Sequence, residues 1–215
     1  MKKIGIIGSG VVAQTLGTGF IKLGYQTMLG TRDKSKLNEW QNTTGPQAMV
    51  GSFAETAAFG DIIVLAVKGT VAKDVLIQIG HKNLENKTVI DTTNPIADAP
   101  PINGVLKFFT NLDKSLMEEL QEAVPGANFV KAFNSVGSPF MINPPFNSRP
   151  SMFICGNNEN AKTEVSAIID QFGWEPTDFG MIESARAIEP LCMLWCIPGM
   201  IKNEWSHAFK LLKLQ

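Results

Sequence analysis

The glycine-rich segment after the first apolar run of the chain has residue types and a spacing that suit phosphate binding. It reads G-x-G-x-x-A and consists of Gly8, Ser9, Gly10, Val11, Val12 and Ala13. In this pattern the first glycine permits a tight turn, the second lets a pyrophosphate approach the backbone, and the alanine allows close packing of helix on strand. The helix that follows presents free N–H groups to the phosphates. The segment therefore predicts dinucleotide binding, and a glycine-rich turn that binds nothing is the alternative.

A second group of residues bears on which dinucleotide would bind. NAD-binding folds usually place an acid about 20 residues after the glycines, on the ribose 2′-hydroxyl. Here Thr31 and Arg32 stand at that point, with Lys36 about one helical turn further on and Asp33 close by. A guanidinium offers a planar fork to a 2′-phosphate. These residues predict NADP over NAD, and the alternative is that Arg32 and Lys36 are solvated at a helix start.

Three later strands are predicted to end at the same edge of the sheet. Ligands of an open parallel sheet bind outside the carboxyl ends of its strands. The tips carry Val67, Lys68, Thr93, Asn94, Pro95, Ala132 and Asn134. We expect them to line the nicotinamide half of the site, with Asn94 and Asn134 as contacts to the amide and ribose. A plain turn at Thr93-Asn94-Pro95 is an equal alternative, because Asn-Pro is a common turn dipeptide.

The elements that must position these residues alternate along the chain. Short apolar runs alternate with helical patterns of about ten residues, which is typical of a doubly wound, mostly parallel α/β sheet of the Rossmann type. We predict extra C-terminal strands and a helical tail broken at Pro198-Gly199. One NADP-binding domain is expected over 1–215, with a dinucleotide-binding core at 1–136 and an extension at 137–215 packed on it. A stripe at helical spacing predicts a buried or dimer-forming tail helix and comprises Ile201, Trp205, Phe209 and Leu212.

The composition of the chain and the distribution of its charges limit the classes of partner that it can bind. The formal net charge of −1 does not favour nucleic acid, whereas the first 50 residues hold six Lys or Arg against two acids, which fits a phosphate-bearing small molecule. Three cysteines, an odd number, argue against a disulfide framework and favour the cytoplasm. No apolar run approaches the roughly 18 residues of a membrane span, and the N-terminus does not read as a secretion signal. We therefore expect no membrane and no nucleic-acid partner, and a homodimer through the tail.

Several segments together resemble a known family. GIIGSGVVAQTL, LGTRD, DTTNPI, VKAFNSVG, ICG and GWEPTDFG resemble, in order and over essentially the whole chain, the NADP oxidoreductases that use the deazaflavin coenzyme. The same pattern occurs in the cytosolic reductase domain of the six-transmembrane ferric reductases. The resemblance implies pyrophosphate contacts from Ser9–Val12 and 2′-phosphate contacts from Thr31, Arg32 and Lys36. It also implies that the nicotinamide end is lined by Val67, Asn94-Pro95 and Ala132.

The motifs and the resemblance predict an enzyme. It would be an NADP(H)-dependent oxidoreductase that transfers a hydride between the nicotinamide and a flavin or deazaflavin coenzyme as second substrate. An NADPH-binding sensor without turnover is the alternative. The proline-rich segment Gly137–Pro150 is either the acceptor site or a lid.

No side-chain acid, base or metal is expected in the chemical step. The predicted strand tips carry no His, Tyr, Cys or carboxylate pair, and Asp91 is interpreted as a residue that orders its turn. His81 and His207 are expected at the surface or in packing contacts. Cys192 and Cys196 share a helix face and are expected to be small buried residues rather than a redox pair.

Overall fold

A six-stranded parallel sheet forms the centre of the protein. The computed structural model describes residues 2–214. The strand order is β3-β2-β1-β4-β5-β6, which is the Rossmann order, so the predicted fold class is confirmed. The strands are β1 (Ile4–Ile7), β2 (Thr27–Gly30), β3 (Ala48–Gly51), β4 (Ile62–Leu65), β5 (Thr88–Asp91) and β6 (Asn128–Lys131). Strands β1 and β4 are buried along their whole length, as continuous apolar runs require in a sheet covered on both faces.

Helices cover both faces of this sheet. They are α1 (Val11–Lys22), α2 (Asn38–Thr44), α3 (Phe53–Phe59), α4 (Gly69–Ile79), α5 (Leu116–Ala123), α6 (Glu159–Gln171), α7 (Ala185–Ile188) and α8 (Pro190–Lys202). One apolar cluster joins the sheet to α1, α2 and α6, and the other joins it to α3, α4, α5 and α7. The topology changes direction between β1 and β4, so the carboxyl ends of these strands open into a crevice.

The predicted C-terminal strands form a small sheet of their own. β7 (Ser151–Ile154) and β8 (Glu175–Asp178) pair in parallel, and α6 connects them. A single antiparallel bridge between Lys131 and Cys155 joins this pair to the end of β6, with the Lys131 amide donating to the Cys155 carbonyl at 3.1 Å. The extension is thereby attached at the strand end that faces the crevice.

The tail is helical only in its first part. The predicted helical tail is confirmed as α8, but this helix runs through Pro198 and is not broken there. It ends at Lys202, because Asn203 adopts a left-handed conformation with φ 57°. Residues 203–214 are not helical, so the prediction of a helix carrying Trp205, Phe209 and Leu212 is wrong.

The extended tail lies against β7 instead. The Ser151 amide donates to the Phe209 carbonyl at 2.9 Å, and the Leu211 amide donates to the Ser151 hydroxyl at 3.0 Å. Backbone groups along the exposed edge of β7 thus take partners that helical periodicity in the sequence does not reveal. Within residues 2–214, none of the helices has the length and apolar character that crossing a membrane requires.

Candidate nucleotide-binding site

The two glycines of the first motif have different structural roles. Gly8 has φ +141°, and a Cβ built there would lie 2.2 Å from the Ala66 carbonyl oxygen. Only glycine fits this turn. A Cβ on Gly10 would meet no atom within 4 Å, so the space above Gly10 is open to a ligand. Gly8 therefore serves the fold, whereas Gly10 keeps a surface free.

The start of α1 is prepared for an anion. Gly10 is its N-cap, no side chain of the described residues caps it, and its first turn contains no acid. Val11 is 68% exposed and Val12 is half-buried at this end. Free N–H groups and the positive end of the helix dipole therefore face the crevice. The half-buried Ser9 also holds the turn, since its carbonyl accepts from the Gln14 side chain at 2.9 Å.

The end of β2 places the predicted 2′-phosphate residues next to this turn. The buried Thr31 hydroxyl lies 3.3 Å from the Ser9 hydroxyl. Arg32 and Lys36 are exposed. Asp33 accepts from the Ser35 amide at 3.0 Å and from its hydroxyl at 2.6 Å, and these bonds hold the pKa of Asp33 below its usual value. The acid nearest to the ribose position is therefore engaged in capping a helical turn.

Asn94 and Asn134 meet across the ends of β5 and β6. The Asn94 amide donates to the Asn134 backbone carbonyl at 2.8 Å, and the Asn134 amide donates to the Asn94 side-chain oxygen at 3.1 Å. Asn134 also donates to the Ile188 carbonyl at 3.0 Å. The buried side-chain oxygen of Asn134 has no hydrogen-bond partner among the described residues. Such an orphaned acceptor suits an amide donor from a ligand.

Thr93 is hydrogen-bonded to buried residues of β5 and β6 and does not project into the crevice. Its amide and hydroxyl donate to one Asp91 oxygen at 2.9 and 2.7 Å, as expected of a residue that orders the turn. The Lys131 ammonium donates to the Thr93 carbonyl at 3.0 Å. Lys131 also pairs with Asp91 at 2.6 Å and with Glu189 at 2.9 Å. Although burial lowers the pKa of Lys131, these two carboxylates raise it above its usual value.

This buried cluster is the main feature of the site that sequence reasoning missed. Lys131 and Asp91 are wholly buried and Glu189 is 1% exposed. A usable signal was present, because a lysine at the end of the apolar strand NFVK must be paired once it is buried. Nothing in the sequence pointed to Glu189 as its partner.

The remaining predicted residues lie around the same edge. Ala132 and Pro95 are buried, Val67 is half-buried, and Lys68 is exposed as the N-cap of α4. A Cβ on Gly69 would lie 2.1 Å from the Asn94 carbonyl, so the tips of β4 and β5 are in close contact. The sheet thus brings the predicted nicotinamide-side residues to one edge, with Thr93 and Ala132 turned into the protein.

The segment Gly137–Pro150 is anchored to the core at its centre. Met141 is 2% exposed and its carbonyl accepts from the Trp174 indole at 3.1 Å. Ile142 packs against Gly19 of α1 and lines a cavity of about 320 Å³ beside that helix. The segment therefore packs against α1.

The cysteines and His207 are at least partly buried, and Cys155 lies beside Lys131 at the end of β6. The three cysteines are free, and burial raises the pKa of Cys155 to about 12. The pKa of Cys192 is raised by its hydrogen bond with Cys196 and by burial. His207 stacks on Trp195 with ring centroids 5.1 Å apart. The described residues contain no group of three or more side chains suited to a metal ion.

Comparison with known proteins agrees with this geometry. Residues 3–95 match the family described as NADP oxidoreductase, coenzyme F420-dependent. A putative F420-dependent NADP-reductase from Arthrobacter sp. FB24 superimposes with a TM-score of 0.93 at 27% identity, covering 99% of this chain and 100% of that one. The predicted family resemblance is confirmed. Both descriptions agree with the prediction of an NADP-dependent oxidoreductase.

The resemblance to ferric reductases is confirmed as well. The metalloreductase STEAP3 of Rattus norvegicus is 27% identical over 205 residues, and these make up 93% of this chain and 39% of the rat protein. The metalloreductase STEAP2 of Homo sapiens is 27% identical over 210 residues, which make up 96% of this chain and 40% of the human protein. The chain therefore spans about two fifths of the length of these relatives.

Proposed function

We propose that this oxidoreductase transfers a hydride between NADP(H) and a flavin or deazaflavin ring. The observation that carries the nucleotide part is the open, uncapped start of α1 beside Thr31 and Arg32. In this proposal Ser9–Val12 bind the pyrophosphate, and Thr31, Arg32 and Lys36 bind the 2′-phosphate. The exposed Arg32 and Lys36 carry the positive charge that a 2′-phosphate needs, and Asp33 is occupied by Ser35.

The nicotinamide end would lie at the edge formed by Val67, Asn94 and Asn134. The carboxamide of a nicotinamide has an N–H₂ group that the orphaned Asn134 oxygen would accept, which supports this assignment. The bound cofactor supplies or takes the hydride. The protein's own part is to hold the ring by the Asn94–Asn134 pair and to keep the neighbouring strand ends rigid.

The class of hydride acceptor is inferred from the lack of an available proton donor among the residues that we place at this edge. A ketone needs a proton donor for the forming alkoxide. Asp91 and Lys131 are ion-paired and wholly buried, so neither is available as that donor. A flavin-like ring takes its proton from solvent and needs only alignment at about 3–3.5 Å between the reacting carbons. We therefore favour a conjugated ring over an alcohol–ketone pair.

The location and assembly of the protein complete the proposal. The three cysteines are free, which supports a reducing cytoplasm. Exposed apolar side chains on α8 support a homodimer through this helix, and they include Leu194, Met200 and Ile201. We propose no membrane or nucleic-acid partner for this chain.

The function is tested by following NADPH absorbance with a panel of acceptors. The panel contains FMN, FAD, a deazaflavin, a ferric chelate with and without flavin, and a simple ketone. We expect turnover with a flavin or deazaflavin, none with the ketone, and a rate that is flat between about pH 6 and 8. Tight NADPH binding with no turnover on any acceptor would instead favour a sensor.

Variants at the nicotinamide edge sharpen this test. Asn94→Ala and Asn134→Ala should lower the rate by misplacing the ring and leave its pH profile flat. Asn83→Ala is the matched control, because the Asn83 side chain donates to the Ile79 carbonyl at the end of α4, away from this edge. A bell-shaped profile that disappears in Asp91→Asn would point to an acid–base dehydrogenase.

A further inference from the structure

The buried ammonium of Lys131 is surrounded by acceptor groups that it can hold in fixed orientations. It lies 2.6 Å from an Asp91 oxygen and 2.9 Å from a Glu189 oxygen, and it donates to the Thr93 carbonyl at 3.0 Å. Burying such a cluster is costly, and apolar residues of similar volume are often as stabilising or more so. Stability alone therefore does not account for a wholly buried lysine at the end of β6.

The bonds of the cluster converge on the backbone of one residue, Thr93. Asp91 accepts from the Thr93 amide at 2.9 Å, and Lys131 donates to the Thr93 carbonyl at 3.0 Å. This carbonyl belongs to the peptide between Thr93 and Asn94. Charged groups thus fix the orientation of the backbone on which Asn94 stands, and Asn94 in turn bonds to Asn134.

Two adjacent residues of the C-terminal extension complete the arrangement. Glu189 accepts from the Leu116 and Met117 amides, each at 3.0 Å, while it pairs with Lys131. Ile188, the preceding residue, accepts from Asn134 through its carbonyl at 3.0 Å. The segment at the end of α7 therefore holds both Lys131 and Asn134.

We propose that Lys131 is a positioning residue for the nicotinamide end of the bound cofactor. It acts through the Thr93–Asn94 peptide, and Glu189 fixes it in place. This inference rests on the proposed function, because it assumes that Asn94 and Asn134 face the nicotinamide. It assigns to the C-terminal extension a part in a site whose predicted residues all lie within 1–136.

The test compares two ligands that share the adenosine end. NADPH contains the nicotinamide, whereas adenosine 2′,5′-bisphosphate lacks it. In Lys131→Met, we expect NADPH affinity measured by calorimetry to fall about tenfold or more. The affinity for the bisphosphate should stay within about twofold. A loss shared equally by both ligands would overturn the inference, since a general loosening of the fold affects both.

A second variant separates positioning from stability. Lys131→Met leaves two carboxylates facing each other, so it should lower the melting temperature. Lys131→Met/Asp91→Asn restores the net charge of the cluster and should recover most of the stability. It does not restore the bond to Thr93, so the selective loss of NADPH affinity should persist. Recovery of NADPH affinity together with stability would show a merely structural role.

Lys162→Met is the matched control. Lys162 is also a buried lysine with two carboxylate partners, Glu159 at 2.9 Å and Asp178 at 2.8 Å, but it lies on α6 beside β8. Its replacement should lower the melting temperature and leave both affinities unchanged. If the wild-type protein binds the bisphosphate but not NADPH, the inference fails. If it binds neither, the proposed function fails first.

Discussion

The guanidinium of Arg32 is available to a phosphate because of the hydrogen bonds of the next residue, Asp33. Because Asp33 is bonded to Ser35, this neighbouring carboxylate does not compete with a phosphate for the guanidinium. Arg32→Ala should weaken NADPH binding by one to two orders of magnitude, about 1.4–3 kcal/mol. NADH binding should hardly change, because NADH lacks the 2′-phosphate. Calorimetric titration of both nucleotides measures the difference.

Lys34→Ala provides the comparison for this prediction. Lys34 is exposed on the same turn but faces Glu55 at 3.4 Å. Its loss should leave NADPH affinity within about twofold. Equal losses for NADPH and NADH in Arg32→Ala would show that Arg32 does not read the 2′-phosphate.

Substitution of the two motif glycines should have different effects, on folding at Gly8 and on NADPH binding at Gly10. Gly8→Ala should prevent normal folding, because the positive φ alone costs about 1–3 kcal/mol and the added methyl meets the Ala66 carbonyl. Gly10→Ala should fold with an unchanged melting temperature and bind NADPH more weakly, because its methyl enters the open space. Thermal melts with and without NADPH distinguish the two. A Gly10→Ala protein with full NADPH affinity would place the pyrophosphate elsewhere.

Local sequence accounts for the geometry of the proposed phosphate side more fully than for that of the proposed nicotinamide side. The glycine motif and Thr31-Arg32 depend on neighbours in the chain, so their geometry follows from local sequence. The Lys131–Glu189 pair joins residues far apart in the chain, and no local pattern encodes it. Thr93 was expected in the crevice, whereas Asp91 draws its hydroxyl inward.

At the scale of elements, α5 is stabilised by a carboxylate with two roles. Glu118 completes a capping box with Ser115 and also accepts from the Arg186 guanidinium at 2.5 and 3.0 Å. The hydrogen bonds from Arg186 have the largest effect on the pKa of Glu118. Together with the hydrogen bonds from Ser115, they lower it to about 2. The helix is therefore tied to α7, the element that leads into Glu189.

This pair predicts a pH dependence of stability. The folded-state pKa of Glu118 lies below its unfolded value of 4.5, so the stabilisation is complete above that value and is lost as pH falls towards about 2. Arg186→Gln should reduce the free energy of unfolding modestly at neutral pH, since the partly exposed guanidinium is screened by solvent. The difference should shrink on acidification. Urea denaturation at several pH values measures it.

The exposed pair of Lys114 and Glu122 is the control for this experiment. Lys114→Gln should leave the free energy of unfolding almost unchanged at any pH, because both partners are exposed. An Arg186→Gln variant whose deficit is the same at pH 7 and at about pH 3 would show that the ion pair contributes no pH dependence.

Two helix starts follow from capping boxes with the pattern S-x-x-E. Ser52 and Glu55 mark the start of α3. Ser115 and Glu118 mark the start of α5 at Leu116. The prediction of a helix beyond residue 202 was wrong for a different reason. Helical spacing does not reveal that the open edge of β7 offers hydrogen bonds to the same backbone groups.

At the scale of the whole molecule, the extended tail joins α8 to the small sheet. The Trp195 indole donates to the His207 carbonyl at 2.9 Å, and the Ser151 amide donates to Phe209. Ending the chain at Lys202 should lower the free energy of unfolding by about 2–4 kcal/mol, since it leaves buried polar groups without partners. Denaturation in urea measures the loss.

A shorter truncation controls for the length of the chain. Removal of residues 213–215 keeps the bonds from Trp195 and Ser151, so stability should stay within about 0.5 kcal/mol of the full chain. If the chain that ends at Lys202 is as stable as the full chain, the tail contributes no stability through β7.

The position of Glu189 also bears on the order in which the protein can fold. During synthesis the six strands of the large sheet emerge long before residue 189, yet the amides that begin α5 and one acceptor of Lys131 await that carboxylate. Contacts between such distant residues form late, because the intervening loop must close first. The crevice edge of the sheet should therefore stay incomplete on the ribosome until the end of α7 has been made. A nascent chain stopped before α7 would be a partly folded sheet exposed to proteases and chaperones.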